Sequence, residues 1–328
     1  MAAPAAITSP RRRLTVDADA DHGLGGTSGL DKKEKQETHM QDLSGKTAFI
    51  TGGASGIGRA MAEAFGRQGM KVMIADIEPG PLGKAVAELR TLGVTAEGVE
   101  TDVTNRASVQ AAAQAALMAF GKVHLVCNNA GVGTGGRMTE IPERDWAWVF
   151  DVNVMGVVHG IESFTPLIRA HGEGGHFVNT ASIAGLLPSP GLTPYSGSKA
   201  ALVSLSEAWA PQLATRKIGL SILCPGVVDT RFIDSRRNRQ ASYGGDKELS
   251  GLEKPEMASG FQGGMAPAVV AARVVEAVKA DELFIFTHPE YREILKARFD
   301  GILAAFDAAE TSAVLAALPA RETPAWRK

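Results

Sequence analysis

The chain has 328 residues, with 34 Lys+Arg against 36 Asp+Glu, a formal net charge of -2 and 45% hydrophobic residues. That balance, with no long basic block in the body, argues against nucleic acid as the main partner, and no uncharged stretch of about 18 apolar residues is present to span a membrane. The two cysteines, Cys127 and Cys224, stand far apart and the seven histidines form no ligand-spaced pair, which fits a reducing, cytoplasmic setting without a disulfide framework or a metal site.

Residues 1–42 are rich in Pro, Ala, Gly and mixed charge and show no apolar period, so they are expected to form a disordered N-terminal extension. Arg11, Arg12 and Arg13 resemble a twin-arginine export signal only superficially, because Asp17, Asp19 and Asp21 follow where an apolar stretch is needed. From Lys46 onward, apolar runs alternate with helix-period segments. Strands are predicted at Thr47–Thr51, Val72–Ala75, Ala96–Thr101, His124–Cys127, His176–Thr180, Ser221–Leu223 and Leu283–Phe286. Amphipathic helices lie between them, as at Arg59–Gln68, Ala107–Phe120 and Ser198–Leu213. This order predicts an α/β chain: a doubly wound parallel seven-stranded sheet with helices on both faces.

Trp146 and Trp148 read as packing residues, and Pro211 should kink or end its helix. Residues 230–265 break the rhythm. They are polar, Gly-rich and long for a connection, which predicts a lid over a site. Arg236, Arg237 and Arg239 within them read as a solvated face, with a grip on an acidic substrate as the alternative. Beyond Phe286, the spacing of Ile294, Leu295, Phe299, Ile302, Leu303 and Phe306 predicts an amphipathic helix in a C-terminal extension, 287–328. Such a helix can cover the pocket or a neighbouring subunit.

The first strand runs into Thr51-Gly52-Gly53-Ala54-Ser55-Gly56-Ile57-Gly58 and then a helix. A turn without side chains lets a pyrophosphate reach backbone N–H groups, and the helix N-terminus adds donors and a favourable dipole. The second strand ends in Asp76, whose carboxylate can accept both adenosine ribose hydroxyls and would repel a 2′-phosphate. Together these predict dinucleotide binding.

The spacing Gly-x-x-x-Gly-x-Gly resembles that of the short-chain dehydrogenase/reductase family, single-domain NAD-dependent type. More of that family's pattern follows in order. Asp102-Val103 resembles the adenine-contacting pair, and Asn128-Asn129-Ala130-Gly131 the turn closing the fourth strand. Asn153 matches a helix asparagine, and Ser182 lies in Asn179-Thr180-Ala181-Ser182. Tyr195 and Lys199 form a Tyr-x-x-x-Lys motif, and Pro225-Gly226 with Val228 and Thr230 resembles the nicotinamide-side loop. The resemblance covers about Leu43 to Phe286. It implies a Rossmann-like dehydrogenase domain over 43–286, lid included, with Gly52, Ser55, Gly56, Ile57, Gly58, Asp76, Asn129, Ala130 and Gly131 among the cofactor-binding residues. It also implies a homodimer or homotetramer. Basic residues that favour NADP in the family have no counterpart at Ser55 or Ile77, so NAD is the expected cofactor, with no cation near Asp76 to hold a 2′-phosphate.

Tyr195 and Lys199, four apart, share a helix face. An ammonium near the phenol favours the phenolate, which fits Tyr195 for general acid/base work. Ser182 is placed to bond the substrate oxygen. The resemblance implies that Asn153 holds a water linking Lys199 to solvent and that Lys199 binds the nicotinamide ribose. The expected activity is interconversion of a secondary alcohol and a ketone. A pocket of Gly131–Gly136, Ile183–Leu187, Val227 and the lid, including Val132, Leu186 and Phe232, would favour a bulky apolar, aromatic or steroid-like substrate. The run Asn179–Pro188 is similar to that of bacterial dehydrogenases acting on benzylic secondary alcohols of lignin-derived aryl ethers. The alternative is a nicotinamide-binding regulatory protein without turnover; members of that kind typically lose the tyrosine or lysine, and both are here.

Overall fold

Thr47–Thr51 is an unbroken buried run, and it forms the central strand β1 of the computed structural model, which describes residues 40–245 and 263–318. By backbone proximity the chain divides into Met1–Lys35 and Gln36–Lys328. The first unit lies outside the described residues, as do most of the expected disordered extension, residues 246–262 of the expected lid, and the last residues of the C-terminal extension.

Six further strands join β1: β2 Lys71–Asp76, β3 Ala96–Glu100, β4 Leu125–Asn128, β5 Gly175–Thr180, β6 Ile218–Cys224 and β7 Phe284–Phe286. All pair in parallel in the order β3-β2-β1-β4-β5-β6-β7. Each of the seven predicted strands is present, with ends moved by a few residues. β1, β5 and β6 are buried along their whole length because helices cover both faces. Helices α1 Gly56–Arg67, α2 Pro79–Thr91 and α7 Pro267–Ala280 pack one face through Met61, Phe65, Leu89, Val270 and Val274 against Ile50 and Ile74. Helices α3 Arg106–Phe120, α4 Glu143–Phe150, α5 Gly156–His171 and α6 Thr193–Ala214 pack the other through Val109, Trp148, Phe164 and Leu202 against Phe49 and Phe177. Met40 and Leu43 are both buried in the first layer, so the packed chain already includes a residue ahead of the expected Leu43 boundary.

α4 passes into α5 through a π-helical turn, Asp151–Met155. α6 carries Pro211 within its last turn and ends at Ala214, one turn after the proline removes an intrahelical N–H donor, as the expected helix end requires. α8, Arg292–Glu310, follows β7 as the predicted amphipathic helix, but none of its residues is buried, and Leu303 and Phe306 are 60% and 65% exposed. Among the described residues, no helix is long and apolar enough to cross a membrane.

The chain leaves β1 towards β2 and β3 on one side, then crosses to β4 on the other. That reversal opens a crevice at the carboxyl ends of β1 and β4, the usual ligand position in an open parallel sheet.

Candidate active site

A cavity of about 540 Å³ fills this crevice and reaches from Asp76 and Asp102 at one end to Ser182, Tyr195 and Phe232 at the other. The β1 turn forms its floor. Gly52 and Gly56 take φ of +62° and +52°, and a Cβ on Gly56 would lie 3.1 Å from Thr230. Gly58 faces α1 inward and does not line the cavity: a Cβ there would sit 2.1 Å from the Gly52 carbonyl, so this glycine sets how closely helix and strand approach. The Thr51 hydroxyl accepts the N–H groups of Asn129 and Ala130 at 2.9 and 3.0 Å, tying the ends of β1 and β4 together. Thr51 has no motif signal of its own beyond its place before the glycines.

At the end of β2, the Asp76 carboxylate accepts Ala54 N–H at 3.0 Å and Glu78 N–H at 3.1 Å. Burial pushes its pKa up, and these N–H groups pull it back. Asp102, after β3, accepts Thr104 N–H at 2.9 Å and the Thr104 hydroxyl at 2.8 Å. Val103 lies beside it in the cavity wall.

α6 brings Tyr195 and Lys199 to the other end, as their spacing predicts. Lys199 is buried, its Nζ donates to the Thr180 carbonyl at 2.7 Å, and it lies 5.7 Å from the centre of the Tyr195 ring. Ser182 caps a short 3₁₀ turn, accepting Ala184 N–H at 3.1 Å, and is hydrogen-bonded to Tyr195. The expected lowering of the Tyr195 pKa is not met. Burial pushes the phenol up to about 12, with the Ser182 bond opposing, and burial also brings the Lys199 ammonium down to about 8. Desolvation of both groups outweighs their attraction, since the ammonium is directed at a carbonyl and not at the phenol oxygen.

Asn153 does not line the cavity. It sits in the π-turn, fully buried; its Nδ2 donates to the Val132 carbonyl at 2.9 Å and to Ser198 Oγ at 3.0 Å, and its Oδ1 accepts Val132 N–H at 2.9 Å. Its protein bonds thus pin the β4 loop to α6. A Cβ on Gly131 would be 3.4 Å from both Asn153 Oδ1 and Lys199 Nζ, so this backbone runs in contact range of both side chains. Beneath, Asn128, Asn179 and Ser206 form a buried chain, Asn128 donating to Asn179 and Asn179 to Ser206, each at 2.9 Å.

The segment after β6 supplies the roof. Pro225, Gly226, Val228 and Thr230 line the cavity as expected. Its base is closed where Val228 bridges Met265, through N–H···O bonds of 3.0 and 2.9 Å. The arginines depart from the expectation. Arg237 crosses to Glu78, at 3.0 Å, and lines the cavity near Asp76, so a cation does stand at that end, already paired with a carboxylate. Arg239 is 9% exposed, ion-paired with buried Asp145 and stacked 5.1 Å from the Trp148 ring. These two are therefore anchors and not a solvated face. Gln240 donates to both Asp102 oxygens at 3.0 Å. Of the expected pocket residues, Val132, Ile183, Leu187, Val227 and Phe232 line the cavity, whereas Leu186 turns into the core beside α6. Tyr291, in the C-terminal extension, lines it too, next to His288, whose Nδ1 accepts Gly226 N–H at 3.1 Å.

Cys127 and Cys224 are buried and free. His124, His171 and Glu173 cluster before β4 and β5, at the opposite edge of the sheet. There His124 Nδ1 accepts Thr47 N–H at 3.1 Å, which leaves Nε2 protonated and donating to Glu173 at 2.9 Å. Both nitrogens are engaged by the protein.

A nicotinamide dinucleotide fits the residues present. The β1 turn is a cradle that a side chain at residue 56 would fill, α1 presents its N-terminus, and Asp76 is oriented by two backbone donors with further acceptor capacity. A phenol, an ammonium and a hydroxyl then meet at the far end, able to bond an oxygen and pass a proton to or from it.

The comparisons agree with this geometry. A sequence model of short chain dehydrogenase matches residues 46–241. The chain is 35% identical to a C alpha-dehydrogenase of Sphingobium sp. (strain NBRC 103272 / SYK-6), over 80% of this chain and 87% of that one. It is 33% identical to a CLA biosynthesis dehydrogenase/reductase of Lactiplantibacillus plantarum, over 80% of this chain and 95% of the relative. A short chain dehydrogenase/reductase of Burkholderia phymatum, solved in complex with NAD, superposes with a TM-score of 0.78 at 42% identity, covering 81% of this chain and 97% of that one.

Proposed function

The chain belongs to the short-chain dehydrogenase/reductase family, oxidoreductases that use NAD(H), and on that premise we propose that it interconverts a bulky, apolar secondary alcohol and its ketone, preferring NAD to NADP. The observation that carries this reading is the meeting of Ser182, Tyr195 and Lys199 at one end of a cavity whose other end holds the oriented Asp76 carboxylate. Bound NAD supplies the hydride acceptor. Ser182 holds the substrate oxygen, Tyr195 takes or gives its proton, and Lys199 holds the nicotinamide ribose and the charge beside the phenol. Asn153 works from behind, fixing Val132 and α6 in position.

Val132, Ile183, Leu187, Phe232 and Tyr291 around that end support an apolar substrate. The similarity to a C alpha-dehydrogenase supports an aromatic secondary alcohol among the candidates. Asp76 supports NAD, since its carboxylate would oppose a 2′-phosphate even with Arg237 nearby, which Glu78 already neutralises. Two free, buried thiols support a cytoplasmic location, and the family's habit of oligomerising supports a homodimer or homotetramer.

The test is a panel of about fifty secondary alcohols with NAD and with NADP, read by absorbance of the reduced cofactor. The expected outcome is turnover of an apolar or aryl alcohol with kcat/KM at least about tenfold higher for NAD. Tyr195→Phe should keep NADH binding and lose at least about a hundredfold in turnover. Equal kcat/KM for the two cofactors would overturn the reading of Asp76, and near-normal turnover in Tyr195→Phe would remove that residue from the chemistry.

A further inference from the structure

We propose that Gln240, on the roof segment after β6, is a reader of the cofactor's adenine ring, so that the segment walling the substrate end also recognises the opposite end of the dinucleotide. This rests on the cofactor placement above.

Three acceptors define the site. Asp102 Oδ1 is occupied by the backbone and side chain of Thr104 as well as Gln240, whereas Oδ2 accepts from Gln240 alone at 3.0 Å. Gln240 Oε1 is buried and has no hydrogen-bond partner among the described residues, and Asn238 Oδ1 is in the same condition. Gln240 and Asn238 both line the cavity that contains Asp102 and Val103. A buried acceptor without a donor is destabilising, and two such amide oxygens within three residues require an explanation. Asp102 Oδ2 and Gln240 Oε1, brought together by the Gln240–Asp102 bonds, favour a neutral ligand edge that presents more than one N–H, and Asn238 Oδ1 is a further open acceptor on a residue lining the same cavity. The exocyclic amine of adenine carries two, one for the carboxylate and one for an amide oxygen. With Nε2 committed to Asp102, Gln240 offers Oε1 as an acceptor for the adenine amine, one half of the contact a glutamine makes to an adenine edge. Hypoxanthine carries an oxygen at that position and would set it against the acceptors.

The reader is held in place on both sides. Arg237 is clasped to Glu78, Arg239 is buried against Asp145, and the Tyr243 hydroxyl donates to Asp151 at 2.7 Å. Gln240 therefore projects from an anchored stretch, and its Nε2 bond to Asp102 orients the amide. The same stretch begins at Phe232, whose ring packs tilted against that of Tyr195 with centroids 5.1 Å apart, so adenine recognition and the substrate wall are parts of one short piece of chain.

The experiment is fluorescence titration of the full chain, without substrate, using NADH and reduced nicotinamide hypoxanthine dinucleotide. The unmodified protein should bind NADH at least about tenfold more tightly than the hypoxanthine analogue. Gln240→Leu should shrink that ratio roughly fivefold or more, mainly by weakening NADH. Gln240→Met, close in shape but without the amide, should do the same, which separates loss of the amide from loss of packing. A ratio unchanged in both variants, or both dinucleotides weakened equally, overturns the proposal while leaving NAD binding intact. Tighter binding of both in Gln240→Leu also overturns it, because the amide would then compete with adenine. Failure of NADH to bind the unmodified protein would overturn the cofactor placement itself.

Discussion

Replacing Arg239 by alanine tests whether the roof segment is anchored by a buried charge pair. Arg239 and Asp145 are 9% and 7% exposed, and the carboxylate also accepts the hydroxyl of fully buried Thr134 at 2.9 Å. Removing the guanidinium leaves the buried Asp145 carboxyl without its counter-charge, with that hydroxyl and the first turn of α4 as its remaining support. Breaking a buried pair from one side costs about 3–5 kcal/mol, and the lost stacking on Trp148 adds about 0.5–2 kcal/mol. Local water entry returns part of this, so a net loss of about 3 kcal/mol is expected. At about 2–4 °C per kcal/mol for a chain of this class, the melting temperature should fall by roughly 6–12 °C. Thermal and urea unfolding followed by circular dichroism measure it. Asp145→Leu combined with Arg239→Met should recover most of the loss, since an apolar pair of similar volume is tolerated where half an ion pair is not. A melting temperature within about 2 °C of the parent for Arg239→Ala would refute a structural role for the pair.

Two further outcomes follow from the site. Burial brings Lys199 to about 8 and Tyr195 to about 12, so Lys199 is the group that becomes neutral near pH 8, and it can then take up, by way of Tyr195, the proton that the alcohol releases, the charge beside the phenol forming as it does so. Oxidation needs a proton acceptor, so its kcat/KM should rise through about pH 7–9 and level off, ketone reduction should fall over the same window, and a flat profile would disprove the pairing. Glu78→Gln removes the carboxylate that holds Arg237 and should raise the NADP-to-NAD ratio of kcat/KM by about tenfold, a step of about 1.4 kcal/mol; equal gains for both cofactors would rule out Arg237 as the responsible cation.

The sheet was legible because a strand covered on both faces must be apolar throughout, and those runs, punctuated by Gly and Asp, stand out in the chain. The positions of Asp76, Ser182, Tyr195 and Lys199 were legible for a related reason: they sit at strand ends or on one helix face, so local spacing encodes where they lie, whereas the same spacing did not reveal that Gly58 and Asn153 stand off the cavity. What could not be read are pairings across the fold. Nothing in the chain near Arg237 or Arg239 points to Glu78 or Asp145, each far away in sequence, and a polar, Gly-rich context favours the wrong, solvated reading. The direction of the Tyr195 shift was missed likewise, because spacing gives proximity to Lys199 but not the depth at which both are buried. Leu186 differs from Leu187 only in which way a single 3₁₀ turn rotates it.

The bridge between Val228 and Met265 has a consequence for how this protein can change. Because the two ends of the roof are bridged to each other beyond β6, the chain between them enters and leaves the domain at one point, as an insert does. Each doubling of such an insert adds only about 0.6 kcal/mol of closure entropy, and none of that cost is borne by β1, β4 or α6. Substrate preference can therefore drift, or be engineered by exchanging the interior of the insert, while hydride-transfer machinery elsewhere in the domain is inherited unchanged. The stretch from Phe232 to Gln240 is the portion such an exchange must keep, because it is bonded to the body and not merely closed upon it.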